Sequence, residues 1–153
     1  MVKIRQKTQI EMKLSATAET HARSRVKVRD VVDLIDEPEE RGGTNQGPSP
    51  TETLMSSLIG CTNVITQKIA HKRGVEISAM DIRFSAKFDR RGVLGEEEID
   101  VPFPEITLTV KCETSASQED LNRVGVETSK YCAIAKLFSQ AGTDLTVNWV
   151  KTT

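Results

Sequence analysis

Several features are scarce in this chain of 153 residues, and each scarcity excludes a class of protein. Aromatic residues make up 4%, too few for a platform that stacks nucleic-acid bases. Lys and Arg total 21 against 22 Asp and Glu, so the formal net charge of -1 creates no strong field for nucleic acid or an anionic membrane. The longest apolar run, Tyr131 to Ala135, is too short to span a bilayer, and the first residues contain no signal-peptide core. We therefore expect a cytoplasmic globular protein, with residues 1–153 as a single domain that binds neither nucleic acid nor membrane.

Cysteine is also scarce, with Cys61, Cys112 and Cys132 as the three examples. An odd, widely spaced set is not the disulfide framework of a small secreted protein. No two of them form a C-x-x-C pair, and the two histidines, His21 and His71, lie far from them in sequence. The spacing of zinc ligands is therefore missing, and we expect no metal and no other cofactor. In a reducing compartment each cysteine is either a buried apolar residue or a reactive thiol.

Strict alternation of apolar and polar residues over 2–18 predicts a strand with one buried face. At ~3.3 Å per residue such a strand would reach roughly 55 Å, well beyond the usual length of about 5–6 residues. It must therefore break, bend, or pair with a second subunit. Two shorter strands, at 22–29 and at Val31–Asp36, complete a predicted antiparallel meander.

A Pro- and Gly-rich loop over 37–50 leads into a long helix. Ser49 is placed to cap this helix, Pro50 suits its first position, and Glu52 completes a capping box. The helix is predicted to run to about Arg73, where Gly74 ends it. The helical repeat of apolar residues places Cys61 on the apolar side of this helix. The glycines of the loop also suggest an anion-binding turn, but the Walker lysine and the G-x-G-x-x-G spacing are both absent.

The second half alternates strands and a helix. Strands are predicted at 82–88, 106–112 and 145–149, with a charged hairpin loop at 90–98. A second long helix is predicted from Gln118 to Gln140, and Cys132 borders its buried face. Cys112 continues a strand alternation and is predicted to be a core residue. Strands and helices that are segregated in this order indicate an α+β fold.

The pattern leaves two interpretations open for Cys61 and Cys132, because two helices of such a domain usually pack on the same sheet. In the first interpretation, both cysteines are simply packed in the core. They also fit a pair in which one thiolate is oxidised to a sulfenic acid and the other condenses with it to a disulfide. That chemistry requires a thiolate near neutral pH, and therefore a nearby Arg. The candidates come from the N-terminal strands and the following loop; they are Arg23, Arg25, Arg29 and Arg41.

Two motifs carry a resemblance to a known family: GPSPTE at 47–52 and LIGCT at 58–62. They are similar to the OsmC/Ohr family of osmotically inducible and organic-hydroperoxide-resistance proteins. DEP at 36–38 and GGT at 42–44 resemble its OsmC-like branch. The second family cysteine is matched by Cys132, seventy-one residues after Cys61.

This resemblance implies an intertwined α+β homodimer whose active sites lie at the subunit interface, and the long first strand would then pair across the dimer. It implies thiol-dependent reduction of organic hydroperoxides in oxidative stress defence, without metal or prosthetic group. Cys61 would be the peroxidatic cysteine, Cys132 the resolving cysteine, and a dithiol such as a lipoylated protein the reductant.

Two positions depart from the family pattern. Peroxidase members place the functional Glu directly after the motif proline, where this chain has Thr51 and then Glu52. The second cysteine is usually followed by proline, and this chain has Ala133. Glu52 is therefore a candidate acid as well as a helix cap, and Arg41, then Arg23, rank first as the activating arginine. The alternative function is a dimer of the same fold that binds an apolar small molecule without turnover.

Overall fold

A computed structural model describes residues 8–153, and the chain divides into two compact units, 1–55 and 56–153. The mixed α+β class predicted from the sequence is confirmed: there are two three-stranded sheets and three α-helices in the described residues. The first unit holds one sheet and the start of the long helix, and the second holds the other sheet and the remaining helices.

The first sheet is an antiparallel meander of three short strands. Its order is β1-β2-β3, formed by β1 Leu14–Ala18, β2 Arg23–Val28 and β3 Val31–Asp36. The two later strands lie where the sequence predicted them. The first strand is shorter than predicted: residues 8–13 are not in a strand, and 2–7 lie outside the described residues. The reason is pairing, because β2 ends at Val28, opposite Leu14, and offers no partner to the residues before it.

Register places apolar side chains of this sheet in a row. Leu14 pairs with Val28, and Val28 pairs with Val31. Directly paired residues point to the same side of a sheet, so these three lie next to one another. Leu14 is 61% exposed and Val31 46% exposed. The predicted burial of one face of the first strand is therefore not achieved within the single chain.

A long helix, α1, spans Pro50–Arg73, the range that the capping and stop signals predicted. Ser49 and Glu52 bond reciprocally at its start: Glu52 Oε2 accepts from the Ser49 backbone N–H at 2.8 Å, and Ser49 Oγ accepts from the Glu52 N–H at 3.4 Å. Gly74 follows the last turn with φ of 68°, the left-handed conformation that glycine adopts without strain. Local sequence alone therefore positions Cys61 in the middle of this helix.

The second sheet has the order β4-β5-β6, formed by β4 Ala79–Lys87, β5 Glu105–Glu113 and β6 Asp144–Thr152. The central strand β5 pairs antiparallel with β4 and parallel with β6. Alternate residues of β5 have no exposed surface; they are Ile106, Leu108, Val110 and Cys112. Cys112 is thus a core residue, as predicted, and burial raises its pKa to about 11.

Two helices lie between β5 and β6 in the chain. They are α2, Gln118–Tyr131, and α3, Ala133–Gln140. Ser117 caps α2 by accepting a hydrogen bond from the Asp120 N–H, as its position in the sequence indicated. The prediction of one continuous helix from Gln118 to Gln140 is wrong, because Cys132 interrupts it.

Candidate functional site

Cys61 and Cys132 meet in the second unit. Cys132 Sγ donates a hydrogen bond to Cys61 Sγ across 2.8 Å, and both cysteines are free thiols. Cys61 comes from the middle of α1, and Cys132 lies between α2 and α3. The pairing that helical periodicity left open is therefore present in the structure. Two sulfurs in contact are placed to form a disulfide with little movement of the backbone.

Cys132 occupies a break between two helices rather than the middle of one. Its backbone, with φ of -71° and ψ of 108°, is extended, and it ends α2 and caps α3 at the same time. Its Sγ accepts a hydrogen bond from the Ala135 N–H at 3.4 Å, in the manner of an N-cap side chain. Because Ala133 replaces the proline that would mark a helix start, the sequence gives no signal for this break.

The two thiols differ in how much of each solvent can reach. Cys132 is 1% exposed, whereas Cys61 is partly exposed. Burial raises the pKa of the Cys132 thiol to about 11, the hydrogen bond to Cys61 adds to this, and the N–H of Ala135 opposes it. Cys132 therefore keeps its proton at neutral pH. Cys61 is the sulfur that accepts this hydrogen bond, and it is the one that solvent reaches.

Glu52 is held in the capping box described above, and these hydrogen bonds, first that from the Ser49 N–H, hold the pKa of its carboxyl below the ordinary value. The positive charge of Arg41 acts on it in the same direction. At neutral pH Glu52 is therefore a carboxylate fixed at the start of α1.

The two leading arginine candidates are both ion-paired within the first unit. Arg41 Nε donates to Glu37 Oε2 at 2.6 Å, and Arg41 ends a short 3-10 helix, Glu39–Arg41. Arg23 Nε donates to Glu19 at 3.0 Å, and its Nη1 donates to Thr44 Oγ1 at 2.8 Å. Arg29, a further candidate, occupies the turn between β2 and β3 with φ of 55°.

Asp36 belongs to the DEP motif, but sequence reasoning missed its structural role. It is completely buried at the end of β3, and its Oδ2 accepts three hydrogen bonds, from the Thr44 hydroxyl at 2.6 Å and from the N–H groups of Thr44 and Gln46 at 3.1 Å each. Burial raises the pKa of this carboxyl, but the three hydrogen bonds and the charge of Arg23 outweigh it, so the pKa lies below its ordinary value. Oδ1 has no hydrogen-bond partner in the described residues.

Asp36 directly precedes the loop 37–49. Its hydrogen bonds to Thr44 and Gln46 therefore hold the second half of that loop against the end of β3. The loop glycines serve the same packing: a Cβ at Gly43 would overlap the backbone of Glu37, and one at Gly47 would overlap the carbonyl of Leu34. Close backbone approach explains Gly43 and Gly47, two of the loop glycines that had suggested an anion-binding turn. An aspartate that ends a strand just before a glycine-rich loop was the available signal for such an anchor.

Neither a metal site nor a membrane-spanning helix is found in the described part of the chain. None of its His, Cys, Asp and Glu side chains cluster in a group of three that could hold a metal ion. No helix within residues 8–153 combines the length and the apolar character needed to cross a bilayer.

Known proteins share both the sequence pattern and the fold. The family model described as OsmC-like protein matches residues 43–148. An OsmC-like protein of Mycoplasma pneumoniae is 15% identical and superposes with a TM-score of 0.81 over 95% of this chain and 100% of its own. The organic hydroperoxide resistance protein OhrB of Bacillus subtilis is 16% identical, with a TM-score of 0.60 over 92% and 98%.

An organic hydroperoxide resistance protein OsmC of Legionella pneumophila is 11% identical, with a TM-score of 0.66 over 94% of this chain and 99% of its own. No curated protein matches the sequence. At these identities the structural similarity establishes the fold and leaves the activity to be argued from the residues.

Proposed function

Because this chain belongs to the OsmC-like protein family, we propose that it is a thiol-dependent peroxidase that reduces organic hydroperoxides with Cys61 and Cys132. The observation that carries the proposal is the contact between the two sulfurs at 2.8 Å, in which the buried Cys132 donates to the partly exposed Cys61. Simple core packing would not require one of two paired thiols to remain open to solvent. Two structural relatives are named as hydroperoxide resistance proteins, which points to the same substrate class.

The first step is nucleophilic attack by the Cys61 thiolate on the O–O bond of the hydroperoxide. The S–O bond forms as the O–O bond breaks, and the alkoxide leaves as an alcohol after it takes up a proton. Cys61 becomes a sulfenic acid and has lost two electrons. Cys61 is suited to this role because solvent reaches it, whereas Cys132 is closed to a substrate.

In the second step Cys132 attacks the sulfur of the Cys61 sulfenic acid. The Cys61–Cys132 disulfide forms, the S–O bond breaks, and hydroxide leaves as water with the proton that Cys132 held. Cys132 needs no large motion for this step, since its Sγ already contacts Cys61 Sγ. A dithiol then supplies two electrons and two protons to restore the thiols.

The proposed chemistry also requires an arginine and an acid. We assign activation of the Cys61 thiolate to Arg41 or Arg23 by similarity to the family. Glu52 would orient the arginine, and the attraction between the charges of Glu52 and Arg41 agrees with such a pair. Substitution of each arginine by Gln separates the candidates, because loss of the activating charge should lower the rate of Cys61 alkylation at neutral pH.

The proposed functional unit is a homodimer. The apolar row Leu14, Val28 and Val31 is left largely open on the first sheet of one chain. Ile10 and Met12, just before β1, are 77% and 78% exposed. Apolar groups exposed together in this way indicate a surface that a second subunit covers.

Turnover experiments test the activity. With tert-butyl hydroperoxide and dihydrolipoamide, the parent protein should cycle, and Cys61→Ser should consume no hydroperoxide even once, since a serine hydroxyl is a poor nucleophile. With the dithiol left out, Cys132→Ser should still consume about one equivalent but form no disulfide, because its Cys61 sulfenic acid has no resolving thiol. Cys112→Ser is the matched control and should cycle as the parent does. Absence of any hydroperoxide consumption by the parent would favour the alternative, a protein that binds small molecules.

A further inference from the structure

The two sulfurs of the proposed disulfide are not equally accessible to a reductant. A thiolate that reduces a disulfide must reach one sulfur, and the rate depends on access to that sulfur and on the stability of the thiolate that leaves. Cys132 is 1% exposed in the single chain, and association with another subunit cannot expose it further. Cys61 is partly exposed on α1. Access therefore directs the reductant to Cys61.

The surroundings of Cys132 also provide a place for a leaving thiolate. Its Sγ already accepts a hydrogen bond from the Ala135 N–H in the first turn of α3. A helix N-terminus directs N–H groups and the positive end of its dipole at such a sulfur, and both stabilise negative charge. Burial opposes that charge and keeps the pKa of the thiol raised, and the Ala135 N–H offsets part of this cost.

We propose that the reductant, a dithiol, forms its mixed disulfide with Cys61, and that Cys132 is the leaving thiolate, received by the N-terminus of α3. This inference rests on the proposed function for the role of the disulfide. It assigns Ala135, through its backbone N–H, a part in the reductive half of the cycle, because this group contacts the reacting sulfur.

Atoms and electrons balance in this step. One thiolate of the dithiol bonds to Cys61 Sγ, the Cys61–Cys132 bond breaks, and its electron pair goes to Cys132 Sγ, which then takes a proton. The second thiolate of the dithiol attacks the first sulfur of the same molecule and releases Cys61 as a thiolate. The dithiol leaves as a cyclic disulfide, having given up two electrons and two protons, one to Cys132 and one to solvent.

Adduct mapping on the otherwise unchanged protein tests which sulfur is attacked. Diamide forms the disulfide without any hydroperoxide, so the test does not depend on peroxidase activity. Brief exposure to 2-mercaptoethanol, an acid quench and alkylation should leave the mercaptoethanol adduct on Cys61 and the alkyl group on Cys132, located by peptide mass spectrometry. An adduct mainly on Cys132, or no Cys61–Cys132 disulfide with diamide, would overturn the inference.

These outcomes separate the inference from the proposed function. A protein that shows the Cys61 adduct but consumes no hydroperoxide would leave the inference standing and remove the peroxidase assignment. A protein that consumes hydroperoxide through the Cys61–Cys132 disulfide but carries the adduct on Cys132 would do the reverse.

A matched pair of proline variants tests the leaving group. Ala135→Pro removes the N–H that contacts Cys132 Sγ, whereas Ala133→Pro changes the first helical position, where proline is favoured, and leaves that N–H in place. With dithiothreitol, the disulfide of Ala135→Pro should be reduced about fivefold more slowly than that of the parent, a loss in the range expected for one capping hydrogen bond. Ala133→Pro should match the parent. Equal rates for the two variants would contradict the role of the α3 N-terminus, and adduct mapping decides the question of attack even if Ala135→Pro fails to fold.

Discussion

The three cysteines should differ sharply in their reactivity toward an alkylating reagent, and the size of the difference follows from their environments. Burial raises the pKa of Cys132 from 9.0 to about 11. At pH 8 a thiol with a pKa of 9.0 is about 10% thiolate, and one with a pKa of 11 is about 0.1%. Cys132 should therefore be alkylated at least about 100-fold more slowly than an ordinary cysteine, before any steric protection is counted.

The hydrogen bond between the two thiols adds a second expectation. Cys61→Ala removes the acceptor that helps to raise the pKa of Cys132, so Cys132 should become more reactive. Because burial is the larger cause, the increase should stay well short of 100-fold. Cys112 provides the internal control, since burial alone raises its pKa to about 11 and it has no thiol neighbour to lose.

The assay is iodoacetamide labelling from pH 7 to 9.5, with each cysteine followed by peptide mass spectrometry and normalised to labelling in urea. Cys61 should label first at every pH. The rates for Cys132 and Cys112 should rise about tenfold per pH unit without a plateau, because both thiols titrate above this range. Labelling of Cys132 as fast as that of Cys61, or a Cys61→Ala variant in which Cys112 accelerates as much as Cys132, would refute the reasoning.

Three further outcomes are expected. The pKa of the Asp36 carboxyl is depressed, so the stability it contributes is present above about pH 4 and is lost as the pH falls through the folded-state pKa. Asp36→Asn should therefore lower the free energy of unfolding in urea at pH 7. The variant should also lose less of its remaining stability than the parent does when the pH is lowered to 3. Gly125→Ala places a Cβ inside the indole of Trp149 and should destabilise the chain by about 1–3 kcal/mol, with a lower Tm by circular dichroism; adding Trp149→Phe should recover part of the loss. Val31→Lys should weaken the proposed dimer in light scattering, whereas Val93→Lys, a change at a more exposed loop valine, should leave the mass unchanged; identical masses for both variants would argue against the first sheet as the interface.

Local signals predicted the elements that depend on neighbours in sequence. The bounds of α1 followed from Ser49, Pro50 and Gly74, because capping and helix termination are decided within one turn of the chain. The core position of Cys112 followed from alternation in the same way. These predictions needed no knowledge of tertiary structure.

Strand pairing and the break between α2 and α3 were harder to predict from the sequence. Alternation before Leu14 indicated a strand, but a strand also requires a partner, and β2 is too short to provide one. The parallel pairing of β5 with β6 joins segments separated by two helices, so no local pattern carried it. The break at Cys132 depends on the cysteine acting as a cap, a role that thiols rarely take and that propensity does not reveal.

The candidate site was predicted in part. Periodicity placed Cys61 on the inner side of its helix and Cys132 at the edge of the other, but their contact depends on how the helices pack. Strand alternation set Cys112 apart as a core residue, and family resemblance supplied the peroxidatic and resolving roles of the other two thiols. Asp36 escaped notice because its importance lies in three hydrogen bonds to a loop that folds back onto it.

The most direct test of the central claim is a single-turnover experiment read by intact-protein and peptide mass spectrometry. One equivalent of cumene hydroperoxide is added to the reduced protein, which is then alkylated under denaturing conditions without reductant. The account predicts one equivalent of cumyl alcohol, a disulfide that links Cys61 to Cys132, and a single alkylated cysteine, Cys112. Unconsumed hydroperoxide with three alkylated cysteines, or a disulfide that includes Cys112, would contradict it.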